Sequence, residues 1–173
     1  MKAKTFAAVA AIAFIVCILA ANYVTTEYGM VPVGFGLVAT AGTYFAGLTF
    51  VLRDTVQDGL GKVATFGLIV AAALLSYLIA DPFIALASGV AFLASETADL
   101  AIYTPLRRRG YVRAALASNV VGTVVDTYLF LWIAGFPVVR EVVAGQLVGK
   151  LTVTAFAVGL VLTARVVRRA VTA

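Results

Sequence analysis

The chain has 173 residues, of which 63% are hydrophobic and 12% charged, with a mean hydropathy of +1.07. Soluble domains average roughly 45–50% apolar and 25% charged residues, so these figures exclude an ordinary soluble globule. The single cysteine excludes a disulfide scaffold, and the absence of histidine excludes a Ser-His-Asp triad and a histidine-ligated metal. The composition therefore predicts a polytopic membrane protein with no catalytic site, metal or cofactor.

The spacing of the charges predicts an all-α bundle of six membrane-spanning helices in a single domain, residues 1–173. A helix needs roughly 20 apolar residues to cross the bilayer core. Six runs of about this length follow one another, and the first is too long for a secretory signal peptide. The six predicted helices have the approximate bounds 5–26, 30–53, 63–80, 82–105, 114–136 and 141–165.

The basic residues predict that both termini are cytoplasmic. Short cytoplasmic loops retain Lys and Arg, and an inside N-terminus leaves only Arg140 on the outer side. The +5 net charge therefore indicates topology in the plasma membrane and contact with lipid, rather than nucleic-acid binding. The cytoplasmic residues in this arrangement are Lys2, Lys4, Arg53, Lys62, Arg107, Arg108, Arg109, Arg113, Arg165, Arg168 and Arg169.

Polar side chains at membrane depth are the candidate functional residues, because an ionised group there costs roughly 2.5–3.5 kcal/mol by insertion scales. Glu96 and Asp99 lie on one face of the fourth predicted helix, where two acids invite a shared proton or a cationic partner. In the fifth predicted helix, Asn119 and Asp126 fall at helical spacing. Both helices therefore present a polar face to the bundle.

The sixth predicted helix carries Gln146 and Lys150 four residues apart. Gly145 and Gly149 beside them predict close helix packing. Three acids outnumber this one lysine, which favours a cationic or donor-rich ligand or a proton-coupling role. A buried ion-pair network that joins helices is the alternative, with Lys150 facing Asp126 or Glu96.

The charged end of the second predicted helix has two open interpretations. It is either a helix end in the headgroup layer or a turn that takes part in gating or coupling. The residues concerned are Arg53, Asp54 and Asp58.

Five sets of residues together form a recognisable pattern: Ala21-Asn22-Tyr23, Thr49-Phe50 through Asp54 to Gly61, Ser95-Glu96-Thr97-Ala98-Asp99 with Leu106-Arg107, Ser118 through Asp126-Thr127 with Phe130, and Gln146 with Lys150. In this pattern the chain resembles the VUT family of vitamin uptake or queuosine precursor transporters. The resemblance implies six helices related in fold to the S-components of energy-coupling-factor transporters. It also implies import of a 7-deazapurine, such as the queuosine precursors preQ0 or preQ1, across the cytoplasmic membrane.

A flat guanine-like base suits the polar residues named above. Its adjacent N–H donors pair with a carboxylate, its other edge suits Asn, Gln or Lys, and its faces stack on aromatic rings. The candidate substrate-binding residues are Asn22, Phe50, Glu96, Asp99, Asn119, Asp126, Gln146 and Lys150, with Phe92, Tyr44, Tyr103 or Trp132 as further stacking candidates.

Two other functions stay open. The first is an S-component that binds a vitamin and docks to a separate energising subunit. The second is a membrane protein with a structural role and no ligand. The sequence also leaves a homo-oligomer open.

Overall fold

The computed structural model describes residues 2–106, 108 and 111–172. In these residues six helices and one β-hairpin follow one another in chain order. They are α1 (Lys2–Tyr28), β1 (Met30–Gly34), β2 (Leu37–Thr40), α2 (Thr43–Leu60), α3 (Lys62–Ile79), α4 (Pro82–Leu106), α5 (Tyr111–Ile133) and α6 (Arg140–Thr172). Arg107 and Arg109 of the predicted basic loop lie outside the described residues.

The predicted helix over residues 30–53 is wrong in its first part, because residues 30–40 form an antiparallel hairpin. Gly34, Phe35 and Gly36 all have positive φ angles, which a right-handed helix does not accept. Pro32 lacks the N–H donor that a helix interior needs. The helix consequently begins at Thr43 and runs past Arg53 to Leu60.

Three helices in the described part of the chain are long and apolar enough to cross a membrane. Their apolar segments are Thr5–Tyr28, Lys62–Ile79 and Pro82–Tyr103, and a shorter apolar segment covers Ala117–Ile133. The hairpin is a different case, since an open sheet edge has no hydrogen-bond partners in hydrocarbon. It therefore belongs at the membrane surface or against protein.

The packing of α1, α2, α3 and α4 forms an apolar core around Phe14, Val56, Ile69 and Phe92. All four side chains are at most 7% exposed. This core lies beside the polar groups of α5 and α6 and gives them one rigid wall.

Glycines bring α6 close to α2 and the hairpin. A Cβ on Gly149 would lie 2.7 Å from the Thr43 Cγ2, and one on Gly145 would collide with the carbonyl oxygen of Val38. The predicted close-packing face of these two glycines is thus confirmed. On the facing helix, a Cβ on Gly47 would lie 2.7 Å from the carbonyl oxygen of Lys150.

Candidate functional site

A central cavity lies among α1, α2, α4, α5 and α6 and is the candidate ligand site. Its volume is about 40 Å³, enough for water molecules. Small-molecule pockets usually measure roughly 300–1,000 Å³, so a bicyclic base fits only after the helices move apart. The lining residues that carry polar or aromatic groups are Asn22, Thr25, Thr40, Thr43, Thr49, Phe50, Ser88, Phe92, Asp126, Phe130, Gln146 and Lys150.

A buried ion pair forms part of the cavity wall. Lys150 Nζ donates to Asp126 Oδ2 at 2.7 Å and to Thr127 Oγ1 at 3.0 Å. The side chains of Lys150 and Asp126 are only 2% and 9% exposed. Because each charge compensates the other, the pair is tolerated at a depth where either alone is strongly unfavourable.

Two threonine hydroxyls hold Gln146 in the wall beside this pair. Thr43 Oγ1 donates to Gln146 Oε1 at 3.0 Å, and Gln146 Nε2 donates to Thr40 Oγ1 at 2.7 Å. The two hydroxyl oxygens are themselves 3.2 Å apart. These hydrogen bonds orient the amide and connect α6 to both the hairpin and α2.

Asn22 occupies the α1 side of the cavity. It is 2% exposed, and its Nδ2 donates to Ser76 Oγ of α3 at 2.9 Å. Its amide dipole is thereby held by a neighbouring helix in a defined orientation.

Phenylalanine rings form the apolar part of the cavity wall. Phe50 stacks on Phe92 with ring centroids 5.5 Å apart and an interplanar angle of 14°, and Phe14 meets Phe92 edge-on at 5.8 Å. Phe130 of α5 also lines the cavity. Aromatic faces of this kind accept a flat base by stacking.

A second group of charges lies next to the aromatic rings, toward the end of α2. Arg53 forms ion pairs with Glu96 of α4 and, at 2.8 Å, with Asp54. Its guanidinium carbon lies 5.8 Å from the centroid of the Phe50 ring. Arg53 is 5% exposed, so it is a cation buried inside the protein, and α2 continues beyond it to Leu60.

The structure brings five of the eight predicted substrate-binding residues to the cavity. Three others lie outside its lining: Glu96 pairs with Arg53, while Asp99 and Asn119 border a small recess beside Arg53. Asp58 is exposed one turn beyond Asp54. The five residues at the cavity are Asn22, Phe50, Asp126, Gln146 and Lys150.

This division of the acids changes the charge expected at the site. Among the charged residues that line the cavity, Asp126 and Lys150 compensate each other. The surplus of negative charge that the sequence suggests is therefore absent from this lining. The arrangement suits a neutral ligand that is rich in hydrogen-bond donors and acceptors.

Sequence reasoning missed the hydroxyl groups of the cavity. Thr40 and Thr43 lie in the segment that was predicted to be one long helix, and Thr25 accepts a hydrogen bond from the Gly42 backbone N–H at 3.0 Å. The available signal was the cluster of threonines between the hairpin glycines and Phe50. This cluster indicates cavity residues only once the hairpin itself has been predicted.

The fold and cavity define a helical membrane protein with a buried cavity that has a polar and aromatic lining. A family model described as "Putative vitamin uptake transporter" matches residues 5–164. The match covers most of the chain, which therefore belongs to this family, the VUT family, and is a membrane transport protein. Searches of curated proteins and of solved structures each gave no match.

Proposed function

We propose that the protein imports a queuosine precursor, a 7-deazapurine such as preQ0 or preQ1, across the plasma membrane. The base binds in the central cavity, which opens alternately to the two sides. The family membership supports transport, and the cavity chemistry supports a flat, polar solute. The observation that carries the proposal is the buried Lys150–Asp126 pair in a wall that also contains stacked aromatic rings.

In this arrangement the Asp126 carboxylate accepts the paired N–H donors of the guanine-like edge. Lys150 donates to the carbonyl oxygen of the base, and Gln146 and Asn22 contact its remaining edge. Phe50, already stacked against Phe92, offers the apolar surface for one face of the base. PreQ0, whose cyano group is uncharged, leaves the net charge of the cavity unchanged, whereas the protonated aminomethyl group of preQ1 adds one positive charge.

Arg53 is the proposed gating residue on the cytoplasmic side of the cavity. Its ion pair with Glu96 joins α2 to α4 behind the Phe50 and Phe92 rings. Asp54 shares the same guanidinium, and the exposed Asp58 lies one turn further along α2. Opening toward the cytoplasm separates α2 from α4, so that water replaces Glu96 beside Arg53 while Asp54 stays paired with it.

The glutamate partner gives a test of this gate. Glu96→Gln keeps the shape of the side chain but removes the charge that pairs with Arg53. We expect ligand binding to persist, because Glu96 does not line the cavity, while the rate of uptake changes. Loss of binding together with uptake would contradict the gating role and return Glu96 to the binding site.

The proposal includes six membrane spans with both termini in the cytoplasm. In that arrangement α1 runs outward, the hairpin lies at the outer surface, and α2 returns to the cytoplasmic side. The arrangement places Arg53 and Lys62 on the side where basic residues are retained.

A charge-compensated double variant tests the site. Asp126→Asn with Lys150→Met removes both charges together, so neither is left unpaired in the bundle. We expect preQ1 binding to purified protein, and preQ1 uptake by cells that express it, to fall at least about tenfold, since hydrogen bonds to charged groups contribute roughly 1.5–3 kcal/mol. Equal expression and monodisperse elution show whether the variant is folded.

Glu141→Gln is the matched control, since Glu141 is an exposed acid in the first turn of α6 and does not line the cavity. This variant should bind and import the precursor as the parent does. A well-folded double variant that binds and imports at the parental level would contradict the proposed site.

The alternative is an S-component that takes up a vitamin together with an energising subunit, and the description of the family supports the vitamin alone. That function predicts copurification of such a subunit and uptake that depends on ATP. The proposed carrier predicts uptake by the purified chain alone in proteoliposomes.

A further inference from the structure

A long groove runs between α3 and α4 on the outside of the helical bundle, and it is separate from the central cavity. It has two parts, of about 620 and 320 Å³, which share Ile69 and Leu93. At its base the two helices approach closely, since a Cβ on Gly89 would lie 3.0 Å from the Ala73 Cβ. The larger part is lined by uncharged side chains alone. The groove is therefore apolar over most of its length.

The smaller part of the groove ends in polar groups. Gln57, Lys62 and Thr97 lie there, together with Glu96. The Glu96 carboxylate is paired with Arg53, whereas no acid among the described residues forms an ion pair with Lys62. This end of the groove thus carries one uncompensated positive charge.

We propose that this groove binds one anionic phospholipid, with its phosphate at Lys62 and an acyl chain along α3 and α4. An acyl chain of one leaflet reaches about 15 Å, half of the roughly 30 Å hydrocarbon core. The eleven residues of α3 from Lys62 to Ala72 span a similar length, since they are separated by ten rises of about 1.5 Å. In the topology of the proposed function, on which this step rests, the basic end of the apolar groove lies on the cytoplasmic side, where it can recognise an anionic headgroup.

A second copy of the chain fits this surface less well. A two-fold pair in a membrane has parallel α3 helices, because its axis lies along the membrane normal. Such a pair places Lys62 at the same depth as the partner's Lys62, where like charges repel. A phospholipid supplies both the apolar chain and the negative charge.

The test compares two lipids that differ only in headgroup. Native mass spectrometry of the detergent-purified protein measures binding of phosphatidylglycerol and of phosphatidylcholine with identical acyl chains. We expect the parent protein to bind phosphatidylglycerol more tightly than phosphatidylcholine. Lys62→Gln should weaken the binding of phosphatidylglycerol about fivefold, whereas Lys62→Arg should keep the preference. Lys62 is exposed, so these changes leave the core intact.

Two tryptophan variants test the apolar part. Val90→Trp fills the groove and should weaken the binding of both lipids. Leu78→Trp, at an exposed position of α3 outside the groove, should leave the binding of both unchanged. Equal binding of the two lipids by the parent, an unchanged preference in Lys62→Gln, or full binding in Val90→Trp would each overturn the proposal. If the parent protein is a dimer and Val90→Trp is a monomer, the groove binds a second copy of the chain instead of a lipid. None of these readouts depends on the transported substrate.

Discussion

Lys150 and Asp126 show what a charged pair requires when it is buried in a helical bundle. Lys150 Nζ has both a carboxylate and the Thr127 hydroxyl within 3.0 Å, so two of its three N–H donors are used within the protein. Gly47 allows this geometry, because a side chain there would collide with the Lys150 backbone. The site therefore depends on the size of one residue and the charge of two others.

Loss of either charge should cost more stability than loss of both. Lys150→Met alone leaves a buried carboxylate unpaired, and we expect it to lower the free energy of unfolding by roughly 3–5 kcal/mol. Asp126→Asn with Lys150→Met should recover most of that loss. Thermal unfolding in detergent compares the parent with the two single variants and the double variant. If the effects of the single changes simply add in the double variant, the two residues are not a coupled pair.

The Thr43 hydroxyl should be required for stability through its bond to Gln146. Thr43→Val keeps the shape but leaves the buried Gln146 Oε1 without this donor, which should cost about 1–3 kcal/mol. Thr152→Val, at an exposed position of α6, is the control and should be close to neutral. Similar melting temperatures for the two variants would argue against the hydrogen-bonded cluster.

Residue types at the site were predictable to different degrees. Asp126, Gln146 and Lys150 stand out in sequence because charged and amide groups are rare in apolar runs. The sequence predicts Asp126 or Glu96 as the partner of Lys150, and the structure confirms Asp126. The sequence does not choose between the two, since helix spacing says which face a residue occupies but not which helix it meets. Glu96 was therefore expected at the ligand, and the structure gives it to Arg53.

The hairpin is the element at which the sequence pattern misleads. Its residues are apolar enough to continue a membrane helix, and their count fits a second span of ordinary length. The local sequence signals for strands and a turn are Pro32, Gly34 and Gly36, and both glycines have positive φ angles in the structure. The lengths of α3 and α4 were predictable to within a few residues because charges and Pro82 mark their ends.

The contact between α2 and α6 should not tolerate a methyl group. Gly47→Ala places a Cβ about 2.7 Å from a backbone oxygen of α6, and overpacking of this kind usually costs about 1–3 kcal/mol. Gly67→Ala on α3 is the matched control, because its Cβ meets nothing within 4 Å. That change should stabilise the helix by roughly 0.5–1 kcal/mol.

Thermal unfolding distinguishes the two glycine variants by the sign of the shift. Gly47→Ala should melt below the parent and Gly67→Ala at or above it. A Gly47→Ala protein as stable as the parent would contradict the close approach of α2 and α6.

The topology of the whole molecule has a direct test in cysteine labelling. In a Cys17→Ala background, Phe35→Cys lies at the fully exposed hairpin tip and Leu60→Cys at the other end of α2. An impermeant maleimide added to intact cells should label Phe35→Cys, and it should label Leu60→Cys only after the membrane is opened. The reverse pattern would place the termini outside.

At the scale of the molecule, the small cavity and the family's transport role imply that ligand binding moves helices. For the proposed base to bind, the cavity of about 40 Å³ has to enlarge, so we expect binding to select a conformation in which α2, α4 and α6 are further apart. A ligand that binds the folded protein also raises its stability. Both effects are measurable without knowledge of the transport cycle.

The most direct test of the account is the melting temperature of the purified protein with preQ0, preQ1, guanine and a panel of vitamins. A ligand at 100 times its Kd adds about 2.7 kcal/mol, which for a chain of this size corresponds to a rise of roughly 5 °C or more. The account predicts this rise with preQ0 or preQ1, and its loss in the Asp126→Asn, Lys150→Met double variant. A rise with a vitamin alone, or no rise with any deazapurine, would contradict it.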